Sequence, residues 1–140
     1  MRVSVGRTDQ YGAFLTDGNG RSLYLLEEDR AGQSTCYEMC AVIWPPLLAG
    51  QSPATAADST VRASLLGRVP RRGGGAQVTY NGHPLYYYLG DAGPGQTRGQ
   101  HVEDSWGEWY LVSPTGQHVG EGERDSGRRG RRGRRGEDDR

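Results

Sequence analysis

One series of residues occurs twice along this chain, in the same order. Asn19-Gly20, Leu23-Tyr24, Asp29, Gly32-Gln33-Ser34 and Trp44-Pro45-Pro46-Leu47 return as Asn81-Gly82, Leu85-Tyr86, Asp91, Gly95-Gln96-Thr97 and Trp109-Tyr110-Leu111-Val112. In both copies the Asp follows the Tyr by five positions. One such match arises easily by chance, but an ordered series of matches marks a duplicated unit. The chain must therefore build its core from two related halves, covering about residues 12–48 and 77–113.

Each half opens on a hairpin signal. Asn81-Gly82 lies between Gln77-Val78-Thr79-Tyr80 and Leu85-Tyr86-Tyr87-Tyr88-Leu89, and an Asn-Gly pair supplies the two positive φ angles of a type I′ turn. Asp17-Gly18-Asn19-Gly20 has the same turn chemistry between Ala13–Thr16 and Ser22–Leu26. Only 34% of the 140 residues are hydrophobic, with 23 Gly and 7 Pro, a balance that favours short strands and tight turns over a helical bundle. The expected fold is thus mainly β, one small domain of two hairpin units over residues 1–118. Eight Tyr and three Trp against one Phe predict a core of amphipathic aromatics whose polar tips need partners.

Between the hairpins, Cys36 to Ile43 reads as a short Cys-containing helix, with Ser34 or Thr35 as its cap and Pro45-Pro46 as its stop. Gly50–Ala57 reads as a surface loop, Ser59–Val69 as a helical turn or a strand, and Arg71-Arg72-Gly73-Gly74-Gly75 as a flexible connection. Residues 119–140 run into Arg-Arg-Gly repeats, from Arg128 to Gly136, closed by Glu137-Asp138-Asp139. That composition has too little apolar surface to offset the entropy of ordering, so a disordered tail is expected.

Seventeen basic residues, all Arg, balance seventeen acidic ones. The absence of Lys reads as coding bias, and the even balance argues against a dedicated nucleic-acid domain. No stretch approaches the roughly 20 apolar residues of a transmembrane helix. Met1–Gly6 lacks the apolar core of a signal peptide, so no export signal is expected within this chain.

Leu23-Tyr24, Asp29, Cys36, Cys40-Ala41, Trp44-Pro45-Pro46-Leu47 and Gln77–Tyr86 together give the chain a family likeness. From about Gly12 to Gly116 it resembles the bacterial "secreted repeat of unknown function" family, predicted lipoproteins described by a Tyr-x-aromatic-x-x-Asp motif. Tyr86, Tyr88 and Asp91 meet that motif in full, whereas the first copy has Leu26 between Tyr24 and Asp29. The lipobox cysteine of a lipoprotein is absent. The resemblance implies an extracellular or envelope-associated module with no established activity.

Cys36 and Cys40 are four residues apart, within disulfide reach on one helical face. An even number of cysteines in an exported protein points to a structural bridge. The alternative is a redox or Cu(I) site, with Met39 beside the pair and His83 or His101 as a third ligand. Asp29 and Asp91 each enter a Gly-containing loop. There an Asx-type turn accounts for the carboxylate, a cation ligand being the alternative. Tyr86 and Tyr88 share one face of a strand and are expected in the core. An exposed platform for a sugar or polymer, extended by Trp106 and Trp109, is the other reading; Trp44 is expected to plug the core. No catalytic constellation is visible.

The expected protein is therefore a non-enzymatic binding or structural module, monomeric and without a cofactor, serving an envelope protein or polymer. Redox or copper handling by the cysteine pair stands second. Polyanion binding by the Arg-Gly tail stands third.

Overall fold

The computed structural model describes residues 2–29 and 32–120. Its strands are β1 (Arg2–Thr8), β2 (Gly12–Asp17), β3 (Tyr24–Leu26), β4 (Leu48–Ala49), β5 (Thr55–Ala56), β6 (Leu66–Pro70), β7 (Ala76–Tyr80), β8 (His83–Pro84), β9 (Val102–Asp104) and β10 (Gly107–Leu111). Among the described residues one helix, α1 (Met39–Ile43), and a 3-10 turn at Ala63–Leu65 accompany these strands, and the fold is mainly β as expected. The strands form three small sheets, in the orders β2-β1-β5, β3-β10-β9 and β4-β7-β6, with β8 also pairing β7.

Each half begins with two antiparallel strands, β1–β2 in the first and β6–β7 in the second. β1 is a strand that the residue pattern did not announce. Its apolar positions are only Val3 and Val5, and its identity comes from pairing with β2 in full register, Val3 opposite Asp17 through Thr8 opposite Gly12. Gly6 lets the two strands close: a Cβ there would lie 3.0 Å from Thr16 Cγ2 and 3.1 Å from the Phe14 ring.

The segment read as a flexible connection, residues 71–75, is instead the turn of the β6–β7 hairpin. Arg71 N–H donates to Gly75 C=O, and its guanidinium donates to Ser34 Oγ, Gln77 Oε1 and Cys36 C=O. These bonds fix a glycine run that composition alone describes as a linker. Likewise Gly50–Ala57 is not all loop, because β5 adds to β1 as a parallel edge. Ser59–Val69 holds both the helical turn and a strand.

Asn81 and Gly82 have φ values of 52° and 81°, so the type I′ turn forms and Tyr80 pairs His83. The returning strand is shorter than expected. After Leu85, whose N–H still donates to Val78 C=O, the chain leaves β7, and Tyr86 forms bridges to Tyr24 and to Pro46. Pairing with the other half displaces the local hairpin here. The helix also departs from expectation: it starts at Met39, after Cys36, and no side chain caps it at Glu38. Ser34 and Thr35 bond the aromatic–carboxylate framework instead.

Two buried clusters lie within the fold. One gathers Val3, Leu15, Leu23, Leu25, Leu47, Val78, Tyr80, Leu85 and Val112. The other is aromatic, with Phe14, Tyr24, Trp44, Tyr86 and Trp109 around the two cysteines. The packed chain runs past residue 118: Val119 is buried, and its N–H donates to Leu111 C=O. The rest of the Arg-Gly tail expected over residues 119–140, from residue 121 onward, lies outside the described residues.

Candidate functional site

The two halves clasp each other by reciprocal bonds. Tyr24 N–H donates to Tyr86 C=O at 2.8 Å, and Tyr86 N–H donates to Tyr24 C=O at 2.9 Å. Their hydroxyls then cross over: Tyr24 Oη donates to Asp91 Oδ2 and Tyr86 Oη to Asp29 Oδ2, both at 2.7 Å. Each Asp turns its other oxygen to its own loop. Asp29 Oδ1 accepts from Thr35 N–H and Oγ1, and Asp91 Oδ1 from Arg98 N–H. The same exchange recurs in the backbone, where Leu15 N–H meets Val112 C=O while Val78 N–H meets Leu47 C=O. Gly32 N–H reaches Gly82 C=O while Gly95 N–H reaches Gly20 C=O. Contacts that map onto themselves when the halves are interchanged are those of a two-fold, isologous interface. Here that interface lies within one chain.

Burial sets the ionisation of these groups. Desolvation and the partner Asp91 push the Tyr24 hydroxyl far above its ordinary pKa. Desolvation and Asp29 do the same to Tyr86. Desolvation also raises Asp29 and Asp91, against the opposing pull of the bonds from Tyr86 and Tyr24. The tyrosines thus stay neutral donors, Tyr24 to the buried Asp91 and Tyr86 to the half-buried Asp29, an arrangement that holds the two halves together.

The duplicated tryptophans meet across the same interface. Trp44 and Trp109 stack with centroids 3.9 Å apart and planes 2° from parallel. Tyr24 lies edge-on to Trp44 at 5.6 Å and Tyr86 edge-on to Trp109 at 5.0 Å. Tyr88 stacks on Trp44 at 4.2 Å; its counterpart Leu26 is buried in the same cluster. Both indoles donate to a single carboxylate, Trp44 Nε1 to Asp104 Oδ2 and Trp109 Nε1 to Asp104 Oδ1, each at 3.0 Å. Asp104 also accepts from Trp106 N–H and Gly107 N–H. Tyr86, Trp44 and Trp109 are fully buried, so they form no exposed platform for a sugar or polymer. Tyr87, on the opposite face, donates to Asp17 Oδ2.

A family model described as a secreted repeat of unknown function matches the chain twice, over residues 6–48 and 67–113. The chain belongs to this family of secreted repeats. No curated protein and no solved structure matches it. Each secreted repeat starts upstream of the expected copies, taking in part of β1 or β6. The repeat unit therefore takes in paired antiparallel strands ahead of the Tyr–Asp segment and the Trp.

In the first secreted repeat Cys36 and Cys40 are joined by a disulfide, with Cα atoms 5.2 Å apart. Both are buried, so each sulfur is already committed within the core. Met39 is 61% exposed. The three histidines sit elsewhere. His83 lines a cleft of about 300 Å³ with Glu27, Asn81, Gln117 and His118. His118 pairs with Glu27, and that bond holds the Glu27 carboxyl below its ordinary pKa. His118 and His101 both stack on Tyr110, at 4.1 and 5.0 Å. His101, Glu103 and Glu108 form the group of potential metal ligands among the described residues, their ligand atoms within 4.8 Å of one another. Asp104, Glu103 and Glu108 were not singled out from the sequence. They fall in the part of the second repeat that has no counterpart in the first, where a comparison of the copies has nothing to align.

Proposed function

We propose that this secreted repeat protein is a non-catalytic envelope or extracellular module that presents a rigid surface to an envelope protein or polymer. The observation that supports this reading is the fate of the motif residues. Tyr24, Asp29, Tyr86 and Asp91 bond one another, and Trp44 and Trp109 bond Asp104. The side chains with the most chemical capacity thus hold the two halves together. A fold fixed this way exposes a preorganised surface, which lowers the entropic cost of binding. On this reading residues 1–118 act as one binding unit and work as a monomer without a cofactor.

The test is a turnover screen of the purified, oxidised protein against ester, phosphate, glycoside and disulfide substrates. No turnover is expected. A rate that falls when a residue of the domain is substituted overturns the proposal. The redox or Cu(I) alternative requires the buried bridge to open first. It predicts stoichiometric Cu(I) uptake by the reduced protein that Cys36→Ser abolishes. The tail reading predicts that removing residues 121–140 releases the protein from heparin at low salt.

A further inference from the structure

We propose that His101, Glu103 and Glu108 form a divalent-metal site of the zinc class that ties β9 to β10. Three observations converge on it. First, Glu103 and Glu108 stand directly opposite each other in the antiparallel register of these strands. Two like charges facing across a strand pair repel each other, and a shared cation turns that repulsion into attraction. Second, the spacing suits one ion. His101 Nε2 lies 3.5 Å from Glu103 Oε2, and all three ligand atoms fall within 4.8 Å of one another. Ligands on a tetrahedral zinc with bonds of 2.0–2.2 Å stand about 3.4 Å apart, so small side-chain rotations complete the set. Tyr110 Oη donates to Glu108 Oε1 at 2.9 Å, the outer-sphere bond that orients a metal-binding carboxylate.

Third, the comparison of the repeats places this group where the first half has its covalent staple. In repeat one, the stretch between Ser34 and Trp44 holds the Cys36–Cys40 disulfide. In repeat two, the stretch between Thr97 and Trp109 holds His101, Glu103 and Glu108. It also holds Asp104, whose carboxylate fixes both stacked indoles. A metal joining the residues on both sides of Asp104 would hold that carboxylate in place from outside the core. One imidazole with two carboxylates suits zinc, nickel or copper(II) better than calcium, which takes six to eight oxygens. The ligands are partly exposed, at 32% for His101 and 64% for Glu103, so solvent can fill the remaining positions.

The experiment is calorimetric titration of the full, oxidised, metal-stripped chain with Zn²⁺, paired with thermal melts. One equivalent is expected to bind and to raise the melting temperature. Glu103→Gln is exposed and leaves the core untouched. His101→Asn tolerates the left-handed backbone at this position, where φ is 60°. Each is expected to weaken binding by at least about tenfold, while His83→Asn, outside the set, leaves it unchanged. Absence of saturable uptake, binding undiminished in both variants, or equal loss in His83→Asn overturns the site.

Discussion

Removing one hydroxyl from the clasp tests how the two halves are held. In Tyr24→Phe the ring still fills its place against Trp44 and Tyr88, so packing is nearly unchanged. What disappears is the 2.7 Å bond to Asp91 Oδ2 and the acceptor for Gly99 N–H at 3.1 Å. A hydrogen bond to a charged group is worth about 1.5–3 kcal/mol, and a buried donor left without a partner costs about 1–3 kcal/mol. Asp91 is only 4% exposed, so water replaces little of the loss. A destabilisation of about 3 kcal/mol follows, or roughly 10 °C in melting temperature for a domain of this size. Tyr86→Phe removes the matching bond, but its site is half-open. Ser34 keeps its bonds from Arg71 and Cys36 N–H, and Asp29 keeps those from Thr35. A smaller loss of about 1.5–2 kcal/mol is expected there. Urea unfolding of the oxidised protein measures both, and a cycle with Asp91→Asn isolates the pair. If Tyr24→Phe lies within 0.5 kcal/mol of the parent, or adds to Asp91→Asn without coupling, the hydroxyl–carboxylate bond does not hold the halves together.

Asp104→Ala strands two indole N–H groups and is expected to cost about 2–4 kcal/mol; loss of the near-UV tryptophan signal before global unfolding is the readout. Reducing the Cys36–Cys40 bridge releases a five-residue loop and should lower stability by only about 2 kcal/mol, so the reduced protein stays folded at 25 °C in a urea titration. Above pH 10 stability should fall. The unfolded tyrosines ionise near pH 10, whereas Tyr24 and Tyr86 hold their protons in the fold. Their stabilisation is complete below that pH and declines above it by about 1.4 kcal/mol per pH unit for each tyrosine. Alkaline unfolding should therefore coincide with a cooperative rise in tyrosinate absorbance at 295 nm, and a gradual rise in a folded protein contradicts it.

The duplication, the Asn81-Gly82 turn and the aromatic core were legible because each rests on residue type and short spacing. The Asp turns were legible in part. Loop chemistry anticipates that Asp29 and Asp91 accept backbone N–H bonds, as they do from Thr35 and Arg98. It does not anticipate that each carboxylate also receives the tyrosine of the opposite repeat, because that partner is set by how the halves dock. The same docking draws the chain off β7 after Leu85, whereas β1 is hard to see because its two valines carry almost no periodic signal. The Arg71–Gly75 turn looks like a linker in the sequence because its order comes from distant acceptors, Ser34 Oγ and Cys36 C=O. The helix start moved for a related reason: Ser34 and Thr35 serve as framework ligands and leave no cap for α1.

Exchange of end segments explains why the motif must occur twice. The stretch after Trp44 contributes Leu47 and β4 to β7 of the second repeat, and the stretch after Trp109 contributes Val112 to Leu15 of the first. A lone repeat would leave its hairpin edge unpaired, its Tyr without an Asp and its Trp unstacked, burying apolar surface on one side only. The duplicated positions are therefore under one shared constraint, and change at one requires compensation at its mate. The stretch between each Gly-Gln-Ser/Thr and its Trp escapes that constraint. There the halves diverge, one into a disulfide-bonded turn of helix and the other into the β9–β10 hairpin with Asp104 and its flanking His and Glu residues. Any property particular to this chain is expected in that divergent pair of segments, since the symmetric remainder is committed to holding the two halves together.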